Sequence, residues 1–441
     1  MKNSVFDLMK QEGLTRFQIH YDWRGGAFSL YGAKEWEPDI KWVGFNSTFD
    51  VTTLLTASPK YFGPREMEGL FAKNKLTGYL EQIKNLMRAS RHCLEDFYYW
   101  EKEDVRFLNN IHNTRLGRRN RLKTLVMGGI RRHVREEEEI EMIIDGLNLG
   151  RSMSYKNIAA HVPQGGCKIT VMQDELDLDN LENLAFLAYA NEKTLNVMGP
   201  DMRFPTEMAG IIKKNWSENV TGDPKGPLGE TGGPTAYGVF LAGRMAAKVL
   251  WGTDDLAGKV VAVQGLGAVG GPLAEYYIQA GSQVIVADPD EVAVRRLKDK
   301  HPEVRVVEPG AIVTTECDIF APCAIGGIIT EDNIARLKCK AIFGAANNQL
   351  KAVSPEEEIA LAEKIAQRGI LFQIDWMHNL AGVRSAFEEY TRQNQANRND
   401  LNKIIEEISL ENTWENLNEA RKAGVTPTRR AYEKATSILF D

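Results

Sequence analysis

Two lysines, Lys156 and Lys168, lie close together in a chain of 441 residues, and the glycine pair Gly165-Gly166 lies between them. Two ammonium groups in one glycine-lined pocket repel each other and are partly desolvated, so one loses its proton more readily while the other stays charged. The first would act as an acid/base and the second would hold an anion. Because Lys168 begins a predicted buried strand, Lys168-Ile-Thr-Val-Met172, a rigid element would keep it in place for this task.

A carboxylate follows the lysines at a predicted turn. The residues Asn196-Val-Met198 resemble a strand, and Gly199 and Pro200 then turn the chain just before Asp201. We expect Asp201 to face the same pocket as the lysines. A charged lysine, an acid/base lysine and a proton-exchanging carboxylate together suit the oxidative deamination of an amine.

A glycine turn with the spacing G-x-G-x-x-G lies much later in the chain, at Gly265-Leu-Gly-Ala-Val-Gly270, after the predicted strand Lys259–Gln264. A helix is predicted to begin at Gly270, and the next strand ends in Asp288. Strand, glycine turn, helix, strand and acid in this register indicate a dinucleotide site, whereas the glycine pattern alone would be weak. The Asp288 carboxylate should accept hydrogen bonds from the adenine ribose and repel a 2′-phosphate, which favours NAD over NADP.

Further strand-like segments continue the alternation of strand and helix after Asp288. Residues 317–324, 341–349 and 371–375 are predicted strands with polar or small residues where they end. Since ligands of such sheets bind at the carboxyl ends of the strands, Ala324, Asn347 and Asn379 are expected to line the nicotinamide side. A turn or capping role is the alternative for each asparagine taken alone.

The composition restricts the class of protein. An apolar content of 43% supports two domains with real cores, and a net charge of −6 argues against a nucleic-acid or anionic-membrane partner. The first residues lack the apolar core of a signal peptide, and no apolar run approaches bilayer length, so a soluble cytoplasmic protein is expected. Five cysteines without a C-x-x-C pair indicate reduced thiols and neither a disulfide framework nor a metal site.

The segment Gly222–Pro234 has the clearest concentration of glycine and proline and is interpreted as the boundary between two domains, 1–222 and 223–441. In the first domain, residues 76–99 are interpreted as one or two amphipathic helices. The cations from Arg115 to Arg135 and the acids from Glu136 to Glu139 are interpreted as a solvated face with helix-start acids rather than a phosphate or nucleic-acid patch.

Taken together, the motifs of the chain resemble those of the glutamate/leucine/phenylalanine/valine dehydrogenases, and most closely those of their leucine dehydrogenase branch. The resemblance runs from about His112 to Val383, whereas about 75 residues from Ala33 to Asn110 form an insert without a recognised counterpart. It implies an N-terminal α/β substrate domain, which also forms the oligomer, and a Rossmann-like doubly wound NAD-binding domain whose C-terminal helices pack back on the first. The motifs that carry it are Gly128-Gly129, Tyr155-Lys156-Asn157, Gly165-Gly-Cys-Lys168, Pro200-Asp201-Met202, Thr235-Ala-Tyr-Gly-Val239, Val263-Gln-Gly-Leu-Gly-Ala-Val-Gly270, Cys317-Asp-Ile-Phe-Ala-Pro-Cys-Ala324 and Ala346-Asn-Asn-Gln-Leu350.

The resemblance implies a role for each site residue. Lys156 would bind the substrate carboxylate with the Gly128 and Gly129 backbone, Lys168 would activate water, and Asp201 would move protons to and from the amine. An imine would form, water would add to it, and ammonia and a 2-oxo acid would leave, in a cleft that closes to exclude water. A homo-oligomer is implied as well. The residues expected at the cofactor are Thr235, Gly265, Leu266, Gly267, Ala268, Val269, Gly270, Asp288, Ala324 and Asn347.

The substrate side chain is predicted from the pocket positions. Met127 stands where the family's glutamate enzymes have a lysine, so a γ-carboxylate would lack its partner. The other pocket positions, Gly199, Val383 and Ala386, are small or apolar. We expect an L-amino acid with a bulky apolar or aromatic side chain.

Three departures from the family pattern leave alternatives open. Cys167 replaces the glycine before Lys168, Asn379-Leu-Ala-Gly382 replaces Asn-Ala-Gly-Gly, and the insert has no recognised counterpart. Arg384 is interpreted as a solvated helix residue, with a second anion site as the alternative. The insert would act as a lid, an oligomer surface or a partner site. An unusual amine-bearing acid as substrate, or an NAD-binding regulatory protein without turnover, are the competing functions.

Overall fold

The computed structural model describes residues 4–46, 56 and 58–441, and the chain forms two compact units. The first unit consists of Met1–Asn157, Pro163–Gly229 and Glu389–Asn394, and the second of Ile158–Val162, Glu230–Glu388 and Gln395–Asp441. The main passage from one to the other, between Gly229 and Glu230, therefore falls inside the glycine- and proline-rich segment 222–234.

The first unit is built on a mixed nine-stranded sheet in the order β3-β2-β1-β4-β5-β8-β6-β9, with β7 also paired to β8. The pairs from β3 to β8 are antiparallel, whereas β6 and β7 run parallel to β8. The strands are β1 (Arg16–Asp22), β2 (Ala27–Lys34), β3 (Lys60–Phe62), β4 (Leu94–Trp100), β5 (Val105–Ile111), β6 (Val126–Met127), β7 (Ile130–His133), β8 (Gly165–Met172) and β9 (Asn196–Val197).

Helices cover both faces of this sheet, and each face has its own apolar core. One core joins α1, α2, α3 and α5 to the sheet, and the other joins α6 and α7 to it. A strand covered on both faces is mostly apolar, and β8 is buried at every position although it contains Lys168 and Thr170. The helices are α1 (Val5–Glu12), α2 (Pro64–Lys73), α3 (Thr77–Ser90), α4 (Arg115–Arg119), α5 (Glu139–Ala159), α6 (Leu181–Lys193) and α7 (Met208–Asn215).

The insert predicted at residues 33–110 supplies central strands of the sheet. Strands β4 and β5 lie side by side between β1 and β8, so this part of the insert is not a lid. The predicted helices over 76–99 are correct only as far as Ser90, because Leu94–Trp100 is a strand. Its side chains alternate between the two cores, with Phe97 and Tyr99 in one and Tyr98 and Trp100 in the other. A run apolar on both faces cannot be assigned to strand or helix by periodicity alone. Residues 47–55 and 57 of the insert lie outside the described part of the chain.

The acidic run that was interpreted as a solvated helix start ends in a buried residue. Glu139 accepts hydrogen bonds from Ser4 Oγ, the Val5 and Phe6 N–H groups and Tyr79 Oη. A carboxylate at a helix N-terminus meets unsatisfied N–H groups there, and Glu139 meets those of α1. The prediction is wrong for Glu139, whereas Arg118, Arg119, Arg121 and Lys123 are exposed as expected.

The second unit contains a parallel sheet in the order β12-β11-β10-β13-β14-β15. Numbered along this unit, the order is 3-2-1-4-5-6, which is that of a doubly wound dinucleotide-binding sheet, as predicted. The switch point lies between β10 and β13, and the glycine turn follows β10. The strands are β10 (Val260–Gln264), β11 (Gln283–Ala287), β12 (Arg305–Val306), β13 (Ile319–Pro322), β14 (Ala341–Ile342) and β15 (Leu371–Phe372).

Helices surround this sheet, and the C-terminal helix α14 packs on α8. A Cβ atom on Gly238 of α8 would lie only 3.1 Å from Ser409 Oγ of α14, so glycine permits the close approach. In the part of the chain that the structure describes, no helix combines the length and apolar character needed to cross a membrane. The helices are α8 (Gly232–Trp251), α9 (Gly270–Gln279), α10 (Glu291–Lys300), α11 (Glu331–Ile334), α12 (Pro355–Gln367), α13 (Ala381–Arg392), α14 (Arg398–Ala423) and α15 (Pro427–Phe440).

Candidate active site

Glycines allow the segment around Lys168 to pack tightly in the first unit. A Cβ atom on Gly165 would lie 1.7 Å from Asn113 O, and one on Gly166 would lie 2.0 Å from Ser154 N. Only glycine fits at such distances. The backbone of strand β8 is therefore tightly packed just before Lys168. This holds the lysine in place on a rigid element, as the sequence predicts.

Lys168 forms an ion pair with Asp201 through its Nζ atom and Asp201 Oδ2. The lysine side chain is 7% exposed and the aspartate 33%. Asp201 is placed by its backbone, because its N–H donates to Ile130 O (3.0 Å) while Ile130 N–H donates to Gly199 O (2.9 Å). The structure thus brings the predicted lysine and carboxylate together.

A second cation, Arg131, contacts the same carboxylate. Its Nε atom donates to Asp201 Oδ2 (3.2 Å), and its Nη1 atom donates to Asp145 (3.1 and 3.2 Å). Burial raises the pKa of Asp201, but the charges of Lys168 and Arg131 outweigh burial and bring that pKa below its usual range. Asp201 is accordingly ionised and able to accept a proton.

The prediction of a solvated face is wrong for Arg131. Its side chain is 14% exposed and links two carboxylates, and Asp145 in turn lies 3.3 Å from His133 Nε2. Burial raises the pKa of Asp145, whereas His133 and Arg131 lower it overall. The signal for Arg131 was its place two residues after Gly129, on a short strand that runs beside β8.

Of the predicted carboxylate-binding residues, Gly129 lies beside Lys168. Lys156 is buried in the last turn of α5, and a Cβ atom on Gly129 would lie 3.3 Å from Lys168 Nζ. Gly128 differs from expectation, because its N–H donates to Val197 O and its carbonyl accepts from Asn196. That N–H is engaged within the sheet, and the glycine serves close packing instead, with its Cβ position 1.9 Å from Cys167 O.

Cys167, which departs from the family pattern, points away from Lys168. Adjacent residues of a strand face opposite sides of the sheet, and the Cys167 Sγ atom contacts Asn196 Oδ1 (3.1 Å). Burial raises the pKa of this thiol, so it is protonated. The substitution therefore leaves the Lys168 side of the strand unchanged.

The glycine turn of the second unit has the geometry of a dinucleotide site. Gly265 has a φ of +88°, which favours glycine, and a Cβ atom on Gly270 would lie 1.9 Å from Gly265 O. Gly267 differs, because nothing lies within 4 Å of its Cβ position. Two glycines thus serve the turn and helix packing, and the third leaves the backbone open to a ligand.

An open cavity lies beside this turn. A cavity of about 560 Å³ is lined by Leu266, Gly267, Ala268 and Asp288, at the N-terminal side of α9. Asp288 holds the turn, since its Oδ2 accepts from Leu266 N–H (2.5 Å) and its Oδ1 from Asp290 N–H (2.7 Å). The helix N-terminus attracts a diphosphate, and the carboxylate is placed beside the region of the adenosine ribose.

The remaining predicted cofactor residues are in the same unit. Ala324 follows β13, with its Cβ atom 2.9 Å from the Gly265 Cβ position, and Asn347 follows β14. Asn379 donates through Nδ2 to Asn347 Oδ1 (3.0 Å), which places both asparagines together. Thr235 lies in the first turn of α8 and donates through Oγ1 to Thr231 O (2.9 Å).

Helix α13 carries the last predicted pocket positions, Val383 and Ala386, both half-buried. Arg384 of the same helix is 14% exposed, so the prediction of a solvated residue is wrong. It forms an ion pair with Glu388 and donates through Nη1 to Ala160 O and His161 O (both 3.3 Å). These contacts give Arg384 a structural role within the second unit.

Buried acid/base side chains in one unit and a dinucleotide turn in the other are the two parts that a nicotinamide-dependent dehydrogenase needs, and they define the class of this protein. A family model described as Glutamate/Leucine/Phenylalanine/Valine dehydrogenase matches residues 228–440. The chain is 36% identical to leucine dehydrogenase of Bacillus subtilis over 296 residues, which is 66% of this chain and 76% of that protein.

Two further relatives support the match. Valine dehydrogenase of Streptomyces virginiae is 33% identical over 286 residues, covering 63% of this chain and 75% of that protein. The crystal structure of L-tryptophan dehydrogenase from Nostoc punctiforme superposes with a TM-score of 0.61 and 27% identity, covering 81% of this chain and 97% of that one. The chain belongs to the glutamate/leucine/phenylalanine/valine dehydrogenase family, and it is an NAD-dependent amino-acid dehydrogenase.

Proposed function

We propose that the substrate is an L-amino acid with an apolar or aromatic side chain, and that Lys168 and Asp201 carry out its reversible conversion to a 2-oxo acid and ammonia. The observation that carries this proposal is the ion pair between Lys168 and Asp201, with Arg131 on the same carboxylate. An ionised carboxylate beside a buried ammonium provides a proton acceptor and a proton donor in one place.

Lys156 is the proposed partner of the substrate carboxylate. It is buried at the end of α5, where an ammonium group that binds an anion is shielded from water. Gly129 supports the role, because the absence of a side chain keeps its backbone accessible beside Lys168 Nζ. The Gly128 N–H is engaged with Val197 O, so the backbone part of the carboxylate site is assigned to Gly129.

The reaction consumes one amino acid, one NAD⁺ and one water and yields the 2-oxo acid, ammonium, NADH and one proton. NAD⁺ supplies the acceptor for the hydride from the α-carbon. Asp201 first takes a proton from the substrate ammonium, so that the neutral amine becomes an iminium ion when hydride leaves. Lys168 holds the water that adds to the iminium carbon, and the water proton moves to the nitrogen as the carbinolamine forms. Ammonia leaves as the hydroxyl proton is released and the 2-oxo acid forms, and Asp201 returns its proton to ammonia, which gives ammonium.

The side-chain preference rests on Met127. This residue is buried at the end of β6, where a lysine would be needed to pair with a γ-carboxylate. Gly199 adds no side chain, and Val383 and Ala386 are the other proposed lining residues. The likeness to a leucine, a valine and a tryptophan dehydrogenase supports the same preference.

The first experiment follows NADH absorbance with purified protein across a panel of L-amino acids. We expect turnover of leucine, phenylalanine or tryptophan, little with glutamate, and a loss of about 10²-fold or more in kcat for Asp201→Asn. Faster turnover of glutamate than of every apolar amino acid would contradict the pocket assignment. Absence of turnover with intact NAD binding would favour the regulatory alternative.

The proposal extends to the two units and to the assembly. We assign substrate binding and oligomer formation to the first unit and NAD binding to the second, and we expect a homo-oligomer in the cytoplasm, where NAD and amino acids are available. Light scattering on the purified protein measures the subunit number. A monomer with full activity would refute the oligomer assignment.

A further inference from the structure

Among the described residues, one polar side chain on β4 and one on β5 have oxygen atoms without hydrogen-bond partners. Glu95 of β4 is fully buried, and among the described residues neither of its carboxylate oxygens has a hydrogen-bond partner. Asn110 of β5 is also fully buried, and its Oδ1 atom is unpaired within the same set of residues. Buried polar groups in proteins are nearly always hydrogen-bonded, so two unpaired ones in paired strand positions call for an explanation.

The sheet register places these two residues in one row with Lys168. Glu95 of β4 pairs with Asn110 of β5, and Asn110 pairs with Lys168 of β8. Paired residues of neighbouring strands project from the same face, so the three side chains share one face of the sheet. With about 4.8 Å between strands, Glu95 lies about 10 Å from Lys168 across the row.

The amide of Asn110 is already oriented. Its Nδ2 atom donates to Lys168 O (2.9 Å) and Thr170 Oγ1 (3.1 Å) of β8, with a longer contact to Leu108 O of β5 (3.5 Å). Since the two shorter contacts lie on the β8 side of β5, we infer that Oδ1 is turned toward the other side, where Glu95 of β4 lies. Helix α5 packs closely against this amide. A Cβ atom on Gly146 of the helix would lie 2.2–2.4 Å from the Nδ2, Cγ and Oδ1 atoms of Asn110.

The surroundings of Glu95 favour its neutral form. Burial raises the pKa of Glu95 well above its usual range, and the nearby charge of Asp96 raises it further. His92, which lies beside the Gly150 backbone of α5, is also fully buried, and burial keeps its pKa well below the usual value, so it adds no positive charge. A protonated carboxyl group has one O–H donor to offer.

We propose that Glu95 is a neutral carboxylic acid whose O–H donates to Asn110 Oδ1, and that this hydrogen bond positions the β8 segment that carries Lys168. Asn110 then links β4 to β8. Its Oδ1 atom accepts from Glu95, and its Nδ2 atom donates to Lys168 O and Thr170 Oγ1. Glu95 is a positioning residue that acts through Asn110. The catalytic part of this inference rests on the proposed role of Lys168, for which small displacements of a reacting group matter.

The hydrogen bond is tested without an activity measurement. The infrared difference spectrum of wild type minus Glu95→Gln at neutral pH should contain the C=O stretch of a protonated, hydrogen-bonded carboxylic acid. A carboxylate band in its place would show that Glu95 is ionised and would overturn the proposal. This result is independent of the proposed function, so it stands even if the wild type deaminates no amino acid.

The positioning role is tested by kinetics. Glu95→Gln keeps a donor for Asn110 Oδ1 and should retain kcat within about threefold, with an unchanged pH profile, whereas Glu95→Leu should lose about tenfold or more, equivalent to 1.4 kcal/mol. The KM for NAD should not change in either variant. The exposed Glu68→Leu on α2 is the matched control.

A folded Glu95→Leu variant with wild-type kcat would refute the positioning role, and so would a shifted pH profile in Glu95→Gln. If Glu95→Leu does not fold, Asn110→Ser, which removes the link to Lys168 O, replaces it, and wild-type kcat there has the same meaning. A wild type without turnover would refute the proposed function and the kinetic consequence together, while the infrared spectrum would still decide the hydrogen bond.

Discussion

The two functional regions of this dehydrogenase are built from different materials. In the first unit, the site consists of charged side chains. One connected set of ion pairs joins Lys168, Asp201, Arg131 and Asp145. In the second unit, the turn from Gly265 to Gly270 offers backbone and open space. A site made of side chains is damaged by removing atoms, whereas a site made of backbone is damaged by adding them.

Removal of the Lys168 ammonium should have the largest effect. Lys168→Met is expected to lower kcat by about 10²–10⁴-fold, because Asp201 loses its proton-donating partner and the water its binding group. NAD binding, measured by fluorescence titration, should stay at the wild-type value. Lys214→Met, at an exposed lysine of the same unit, serves as the control. Loss of NAD binding in Lys168→Met would show that the two regions are not separable.

Addition of one methyl group should have different effects at two glycines of the turn. Gly267→Ala has room for its Cβ atom, so the melting temperature should be unchanged, while the Kd for NAD should rise about tenfold or more as the diphosphate is kept from the backbone. Gly270→Ala meets Gly265 O and should also lose about 1–3 kcal/mol of stability. Equal melting temperatures for the two variants would contradict this division of roles.

Removal of the Arg131 charge should shift the pH dependence of kcat/KM. Arg131 helps to hold the pKa of Asp201 below its usual range, so Arg131→Met should raise that pKa. Because Asp201 must be ionised to accept a proton, the acid limb of kcat/KM should move to higher pH, with a loss of about tenfold on that limb and little change at neutral pH, where Asp201 stays ionised. Arg118→Met, at an exposed arginine, should leave the profile in place. An unchanged pH profile of kcat/KM in Arg131→Met would show that Arg131 does not influence Asp201 during the reaction.

The change at Asp288 should alter the cofactor preference rather than the rate of the reaction with NAD. Asp288→Ala should relax the preference for NAD over NADP by about tenfold, because the repulsion of a 2′-phosphate is lost. The variant also loses the acceptor for Leu266 N–H, so NAD binding itself should weaken slightly. The ratio of kcat/KM values for the two cofactors measures the change. A ratio equal to that of the wild type would show that other residues select the cofactor.

Features that depend on short stretches of chain were predictable from the sequence. The glycine turn, its flanking strands and Asp288 lie within one strand-helix-strand unit, and the sheet order follows. Lys168 and Asp201 were also found, since glycine and proline mark the turns that surround them. Their contact with each other is long-range: the turn before Asp201 led to the expectation of a shared pocket, and the fold shows the ion pair itself.

Features that depend on long-range pairing were not predictable. Arg131 belongs to a run of cations that resembles a solvated surface, and only the fold shows that Asp145 and Asp201 lie beside it. Glu95 is one acid in an aromatic segment, and its significance depends on the register of β4 and β5 with β8. Arg384 looked solvated for the same reason, because its partners Ala160 and His161 lie far away in sequence.

The central position of β4 and β5 limits how the enzyme can be shortened. If residues 33–110 were removed as an insert, β4 and β5 would be lost with them. Strands β1 and β8 would then lie about 14 Å apart, which is three strand spacings, with nothing between them. Each would present an unpaired apolar edge, and such edges associate with other chains. A trimmed version should therefore aggregate rather than yield a minimal catalyst, unless β1 and β8 are redesigned to pair with each other.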